Sequence, residues 1–370
     1  MDLPVVRRGP LPPGMRILLP LLAYMVWSII AALASSNATL GLTIAKKFYL
    51  FLLVLFVPLI ARGEGRLTWI YRAVFATSVT ASLFGLAQFA ADPDRDWLHR
   101  ISGFMSQWMT YSGLLMLALV LLVAYALYSG MRSRLWIVPA VACIALALLF
   151  AQTRSTWMGA LAGIAIVILI RRPRAIAGLV AIMLACYFLS PPIIKQRLKS
   201  GLDPADPNTR NRIELFQTSV RLIRDHPWFG VGPKNVKYEA LKYRGRSEFP
   251  DWMYQHMHNN ALQIASETGI PGLAIWLWFI VRLAWDALRV YRRARPGDRS
   301  PLENGIRKEA VMVSSAALGA WTALMVAGMF EYNFGDSEVL MLFLFIMSAP
   351  YAFQESRPAA SNPPADAGSL

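Results

Sequence analysis

The sequence predicts an all-α polytopic membrane protein of about ten transmembrane helices, with one large helix-containing loop on the periplasmic or extracellular side. Three observations predict it. Hydrophobic residues make up 56% of the 370, with a mean hydropathy of +0.43, and mostly apolar windows of about 17–25 residues recur, the length that crosses a ~30 Å hydrocarbon core. Lys and Arg cluster on alternate connections between those windows. Only one long stretch, Pro191–Gly272, is too polar to sit in lipid. The apolar runs are continuous, whereas a transmembrane β-barrel needs short alternating segments.

In order, the expected spans cover roughly residues 15–36, 44–61, 68–90, 109–129, 135–152, 155–170, 175–190, 260–283, 310–330 and 338–354. Arg7, Arg8 and Arg16 precede the first run, which is long enough to remain as a span rather than serve as a cleavable leader. The division is an N-terminal bundle of about seven spans (1–190), a polar loop expected to carry part of whatever functional site the chain has (191–259), about three C-terminal spans (260–354) and a disordered Ala/Pro/Ser-rich tail (355–370). Cys143 and Cys186 both lie inside apolar runs, as small core or lipid-facing residues rather than a disulfide or metal pair.

Charge orients the chain. With the N-terminus inside, the cytoplasmic connections and tail hold 20 of the 37 Lys and Arg, and the short opposite connections hold five: Lys46, Lys47, Arg95, Arg100 and Arg154. Short cytoplasmic loops carry such an excess, whereas long loops translocate largely regardless of charge. Both termini are therefore expected in the cytoplasm and the 191–259 loop outside. The net charge of +15 would point to nucleic acid in a soluble protein. Here topology accounts for it, and the expected surroundings are membrane lipids with no nucleic-acid partner.

Spans five and six are joined by the tight turn AQTRSTWMGA, whose single charge is Arg154. A snorkelling arginine marking a span end is the plain reading. Against it stands the side of the membrane, where positive charge is disfavoured, and the tightness of the turn. An arginine held there presents its fork to a phosphate or diphosphate.

Within the loop, Asp206-Pro207-Asn208 is a helix start with Asp206 or Asn208 as N-cap. From Arg212 to Asp225, helical spacing groups Ile213, Phe216, Val220 and Ile223 on one side, extended by Leu215 and Leu222. Arg212 falls inside that apolar arc and is expected to point toward the membrane domain, where it needs an anion. Glu214, Arg221, Arg224 and Asp225 fall on the opposite, solvated face, and Arg210 ranks second to Arg212 as an anion ligand. Pro227 ends the helix, and Gly230-x-Gly232-Pro233 reads as a structural turn rather than a phosphate loop. His226 reads as a helix C-terminal residue interacting with the macrodipole.

His258-Asn259-Asn260 stands where the loop re-enters the membrane. A polar cap on the following helix is the bland interpretation of His258. The functional one is a neutral imidazole removing a proton from a hydroxyl, kept neutral by nearby arginines. His256 is the weaker candidate. Glu267 lies nine residues on, where a carboxylate is costly, and Gly269, Pro271 and Gly272 follow. Its expected role is structural, satisfying backbone groups freed at a helix break.

The pattern His258-Asn259-Asn260-x-Leu262-x(4)-Glu267-x-Gly269-Ile270 resembles the signature of the O-antigen ligase and polymerase family. Arg212-Ile213-x-x-Phe216, then His226-Pro227-Trp228-Phe229-Gly230-Val231-Gly232-Pro233, resembles that family's loop, with Phe216 where a tryptophan is commoner. Thr153-Arg154-Ser155 is similar to its short arginine turn, and the likeness covers about residues 100–350. The resemblance implies a bacterial inner-membrane glycosyltransferase. Such an enzyme moves a glycan from an undecaprenyl-diphosphate carrier to lipid A–core (ligase), to another repeat unit (O-antigen or exopolysaccharide polymerase) or to a protein (O-oligosaccharyltransferase) at the periplasmic face.

The residues fit that chemistry in position and type. Arg154, Arg212 and Arg210 are the expected diphosphate ligands, His258 the catalytic base, and Asn259, Glu267 and His256 the supporting residues. No Asp-x-Asp pair stands near the loop's other candidate groups, so neither a metal nor any other cofactor is expected. In-line attack predicts inversion. The alternatives from other classes are a polytopic lipid or glycan transporter, which would carry ionisable residues near the midplane of several spans, and a non-enzymatic scaffold.

Overall fold

The computed structural model describes residues 15–61, 66–92, 100–189, 205–245, 249–294 and 301–353, with isolated positions between 192 and 203. The tail expected at 355–370 lies outside the described residues, as does most of the exit from the seventh span. Among the described residues there are helices and no strand. This is an all-α polytopic membrane protein.

Among the described residues, seven helical stretches are long and apolar enough to cross a membrane: Arg16–Leu33, Ala38–Ile60, Arg66–Ala91, Trp108–Tyr128, Arg154–Arg171, Asn260–Arg293 and Gly305–Ala327. Three apolar helices are shorter: Leu135–Phe150, Pro173–Leu189 and Ser337–Phe353. We number the helices α1 (Met15–Leu33), α2 (Ala38–Ile60), α3 (Arg66–Ala91), α4 (Trp108–Tyr128), α5 (Met131–Phe150), α6 (Arg154–Arg171) and α7 (Ile176–Leu189). The loop helix is α8 (Pro207–Asp225), and α9 (Asn260–Arg293), α10 (Pro301–Ala327) and α11 (Ser337–Ser348) follow. The second span starts six residues before the expected 44, because Asn37 accepts the Leu40 amide at 3.0 Å and opens the helix there; its Leu42–Leu52 stretch is wound as a 3₁₀ helix.

The bundle's centre is α4, α6 and α10. Gly163 and Gly319 let α6 and α10 approach until backbone nearly touches backbone, since a Cβ on either would overlap the other's carbonyl. Ala316, Ala320, Ala323 and Ala327 continue that small-residue seam along α10 and are fully buried. In lipid, where apolar burial drives helices together weakly, such close packing supplies the attraction.

The loop has its own small core of Leu215, Leu222, Val231, Val236, Ala240, Met253, Tyr254 and Met257. Asp206 caps α8 as expected, accepting the amides of Asn208 at 3.0 Å and Thr209 at 3.3 Å. The face that α8 buries differs from the expected one. Glu214 is only 5% exposed, beside Leu215, Thr218, Ser219 and Leu222, whereas Ile213, Phe216 and Val220 are 45%, 56% and 47% exposed. The reason is tertiary. The chain folds back over the Glu214 face, and the carboxylate accepts the Gly245 amide at 2.6 Å, the Thr218 hydroxyl at 3.1 Å and the Tyr254 hydroxyl at 3.4 Å. A buried carboxylate so satisfied is tolerated, and local periodicity carries no trace of donors that lie 31 and 40 residues away.

Helix α9 breaks at Gly269, whose φ of 74° and ψ of −178° are open to glycine. The turn after α8 fills the break with backbone hydrogen bonds. Val231 N–H donates to Ser266 at 2.9 Å, Gly232 N–H to Glu267 at 3.0 Å, and Ile270 N–H to the Pro227 carbonyl at 2.8 Å. Trp27 Nε1 donates to the Thr268 carbonyl at 2.8 Å. A side chain at Gly230 would strike the Glu267 backbone, and one at Gly269 would strike the Trp228 carbonyl. The Gly230-x-Gly232 turn is thus a backbone junction that pins the loop to a membrane helix.

A histidine, carboxylate and arginine cluster at the bundle rim

Asn259 and Asn260 build the site by stapling the start of α9 to the turn between α10 and α11. Asn259 caps α9, accepting the Leu262 amide at 2.9 Å, and donates to the Met329 carbonyl at 2.9 Å. The buried Asn260 donates its side-chain amide to Asn333 at 2.7 Å and accepts the Phe334 amide at 3.0 Å, and its backbone N–H donates to Gly328 at 2.7 Å. These bonds bracket Glu331 on both sides and hold it against the end of the loop. The cap falls to Asn259, leaving His258 available for other contacts.

His258 has φ of 45°, a left-handed conformation uncommon outside glycine. The chain reverses there, and His256 and His258 stack at 4.0 Å between ring centroids. Both address Glu331: Nδ1 of His258 lies 3.2 Å from Oε2, and Nδ1 of His256 4.0 Å from Oε1. Burial opposes ionisation of Glu331. The hydrogen bond and charge of His258, with the charges of His256 and Arg212, outweigh it and hold the carboxyl below its ordinary range. Burial, and then the neighbouring His258, push His256 down to about 4 despite the pull of Glu331. An ionised carboxylate only accepts hydrogen bonds, so the His258 contact puts an N–H on Nδ1, and in the neutral form of this imidazole the lone pair is on Nε2.

Arg212 completes the cluster from α8. Its guanidinium donates to the Phe330 carbonyl, next to Glu331, and lies over the Phe330 ring at 5.9 Å. Burial is the main influence lowering its pKa, and Glu331 and Arg154 are the charges it feels. Arg154 is the first residue of α6, where the helix dipole already favours anions. Its charge also bears on Asp206, the cap of α8. Two arginines and a helix N-terminus thus concentrate positive potential beside the Glu331 pair. Two buried polar groups here, Ser155 Oγ and His256 Nδ1, have no hydrogen-bond partner, which marks a place for a ligand's or water's polar atoms.

Of the residues singled out from sequence, Arg212, His256 and His258 meet around Glu331, Arg154 stands within electrostatic range, and Asn259 holds the frame. Arg210 is exposed on the polar side of α8. Glu267 sits apart, at the α9 break. Its carboxylate accepts the Lys234 amide at 3.1 Å and the Gln263 side chain at 3.0 Å. The carbonyls freed by the break are instead taken by Val231, Gly232 and Trp27, so Glu267 ties down the turn rather than capping the break itself. Glu331 is not among the residues singled out from sequence. The available signal was a carboxylate next to Asn333 in a turn between two spans, on the same side as His258.

His256, His258 and Glu331 also offer three ligand atoms within 4.8 Å of one another, a nitrogen and oxygen set of the kind that suits a divalent transition metal.

Fold and site together define a multi-pass membrane protein with a cation-rich, histidine-bearing cluster at one end of its bundle. Residues 139–277 match the family model described as O-Antigen ligase, which supports the O-antigen ligase family and, with it, an enzyme of the ligase or polymerase type that transfers glycans. The matched stretch contains Arg154, Arg212, His258 and the α9 break; Glu331 lies beyond it. Among solved structures, one chain from work described as structural coordination of polymerization and crosslinking by a peptidoglycan synthase complex is similar at 15% identity. The alignment covers 91% of this chain and 96% of that one, with a TM-score of 0.49. No curated protein matches the chain.

Proposed function

We propose that the protein is an O-antigen ligase: a glycosyltransferase moving a glycan from an undecaprenyl-diphosphate carrier to lipid A–core by metal-independent, inverting transfer. The observation that carries this reading is the His258–Glu331 hydrogen bond at 3.2 Å, with the Arg212 guanidinium beside it. Nε2 of His258 takes the proton of the acceptor hydroxyl as its oxygen attacks the anomeric carbon. The bond from that carbon to the diphosphate oxygen breaks on the opposite face, and its electron pair leaves with the diphosphate. Arg212 and Arg154 neutralise the leaving charge, with Arg210 a more distant contributor, as preorganised electrostatic stabilisation. Glu331 orients His258 and stabilises the imidazolium that forms, by the logic of a base held by a third group.

The chain is read as an inner-membrane protein with both termini cytoplasmic and the 191–259 loop periplasmic, between an N-terminal bundle (1–190) and a C-terminal set of helices (260–354). The distribution of Lys and Arg supports that orientation. A lipid-linked donor calls for a site at the membrane edge, and the cluster sits where the loop meets the helix ends.

Transfer by the purified protein, given undecaprenyl-diphosphate glycan and lipid A–core in EDTA, tests this. The expected result is a shift of the acceptor that is absent in Arg212→Ala and His258→Ala proteins. Growth of longer lipid-linked chains from donor alone would make the protein a polymerase. Transfer that EDTA abolishes and a divalent metal restores would replace the metal-free mechanism with one through the two histidines and Glu331. Neither product from folded protein would overturn the ligase reading.

A further inference from the structure

Helix α8 carries more apolar surface than the loop buries. Leu215 and Leu222 point into the loop's core, yet Ile213, Phe216 and Val220 form a second, exposed stripe at i, i+3 and i+7. On a helix of 3.6 residues per turn, the half-buried Ile223 extends the stripe. Arginines bracket it. Arg212 borders one edge and Arg210 and Arg224 the other, by the same angular count. An apolar stripe flanked by cations is the arrangement of a helix that lies in a membrane interface.

A second observation concerns where α8 is anchored. Its C-terminal end runs into Pro227, whose carbonyl accepts the Ile270 amide at 2.8 Å, so the helix ends against a membrane-spanning helix, one turn beyond Ser266. Trp228 and Ile270, neighbours across that junction, are 70% and 55% exposed. Trp27 of α1 stacks on Phe229 at 5.5 Å between centroids in the same place. Trp is enriched at the level of lipid headgroups, and the meeting of Trp27 and Trp228 at this junction supports placing the end of α8 at the boundary between lipid and water. At its other end, Arg212 meets Phe330, beside the exposed Met329 at the rim of α10.

We propose that α8 rests on the surface of the surrounding bilayer, with Ile213, Phe216 and Val220 dipping among the acyl chains and the exposed Arg210 and Arg224 meeting anionic headgroups. The lipid surface, rather than the membrane domain, is the partner of the apolar arc. Interfacial helices of this kind sink their apolar face about 5–10 Å into the headgroup and acyl boundary. The consequence for the site is that Arg212, one residue from the stripe, is held at headgroup level. This inference goes beyond the proposed reaction and does not depend on it.

The test uses nitroxide labels on single cysteines, Ile213→Cys, Phe216→Cys and Val220→Cys, with Gln217→Cys and Arg224→Cys for comparison. All five positions are exposed, so a label leaves the core intact. The background is full-length Cys143→Ala/Cys186→Ala protein in vesicles of phosphatidylethanolamine and phosphatidylglycerol, with no polyprenyl lipid present. Power-saturation EPR is expected to show the three stripe labels more accessible to oxygen than to a water-soluble nickel chelate, with the ratio reversed at 217 and 224. Stripe labels as open to nickel as position 217 would overturn the proposal. Stripe labels shielded from both reagents would overturn it as well, since that is the pattern of a stripe covered by a second copy of the chain. Quenching of a bimane label at the same positions by brominated lipids is the independent measurement, expected at 213, 216 and 220 and absent at 217; equal quenching at all four would also contradict the proposal.

Discussion

Glu267 and Glu331 are buried carboxylates at the loop end of this molecule, and their surroundings differ in kind. Glu267, in α9, accepts one backbone amide and one side-chain amide, with the Tyr332 hydroxyl beside it and the charges of Lys234 and Lys47 in range. Around it the chain makes backbone bonds from Val231, Gly232 and Ile270 that leave no room even for a Cβ at Gly230 or Gly269. Glu331 is met by two imidazoles with a guanidinium close by, all titratable or charged, and one of those imidazole nitrogens, Nδ1 of His256, makes no hydrogen bond. A carboxylate whose direct hydrogen bonds come from amides that tie down a turn holds structure. One that shares its charge with groups able to gain or lose a proton can take part in chemistry. Four ways to break or sharpen the contrast follow in order of expected effect.

Replacing the base is the most severe. His258→Ala is expected to lower the initial rate of glycan transfer by about 10²–10⁴-fold, the usual contribution of a positioned acid–base group, without loss of the folded, membrane-inserted protein by gel filtration. Arg212→Lys keeps the charge and loses the planar fork; because Lys binds as a point charge, the expected loss is about tenfold, seen mainly as weaker donor binding in titrations of rate against donor. At the other carboxylate the readout changes. Gly269→Ala forces a side chain into the left-handed region and against the Trp228 carbonyl, and the expected cost is about 1–3 kcal/mol of stability, measured as a lower thermal midpoint in detergent. The catalytic rate per folded molecule should change less.

The smallest effect is a pH dependence. His256 is held at about 4, below the ordinary 6.5, so between those values the unfolded chain binds a proton that the folded chain refuses. Stability is therefore lost progressively as pH falls from 6.5 toward 4. Glu331, held below its ordinary value of 4.5, contributes stability that is present above that value and lost as pH falls through its folded pKa. The thermal midpoint should decline through the first window, and His256→Asn should flatten that decline. An unchanged slope would show that His256 is not the group responsible.

Much of the architecture was legible from hydropathy, since the hydrocarbon core imposes one length scale on every span, and each expected span falls on a helix. The cap at Asp206 and the structural turn at Gly230-x-Gly232 were legible from local chemistry. Glu331 was not. Its meaning lies in contact with His258, 73 residues away, and on its own it is one more acid on a short connection. The buried face of α8 was misassigned for a related reason. Periodicity finds an apolar arc but not what covers it, and Glu214 is made tolerable inside by donors from Gly245 and Tyr254. The arc of Ile213, Phe216 and Val220 is real, and its partner lies outside the chain if α8 rests on lipid.

The most direct test of the contrast sets Glu331→Gln beside Glu267→Gln in the same transfer assay, with thermal midpoints confirming that both are folded. Each change is isosteric and replaces one carboxyl oxygen by an amide nitrogen. The account predicts a loss of about 10²-fold for Glu331→Gln, because a neutral amide no longer stabilises the imidazolium of His258. It predicts a rate close to the parent's for Glu267→Gln, whose amide oxygen still accepts the Lys234 N–H. Equal losses in the two variants, or the larger loss at Glu267, would contradict it.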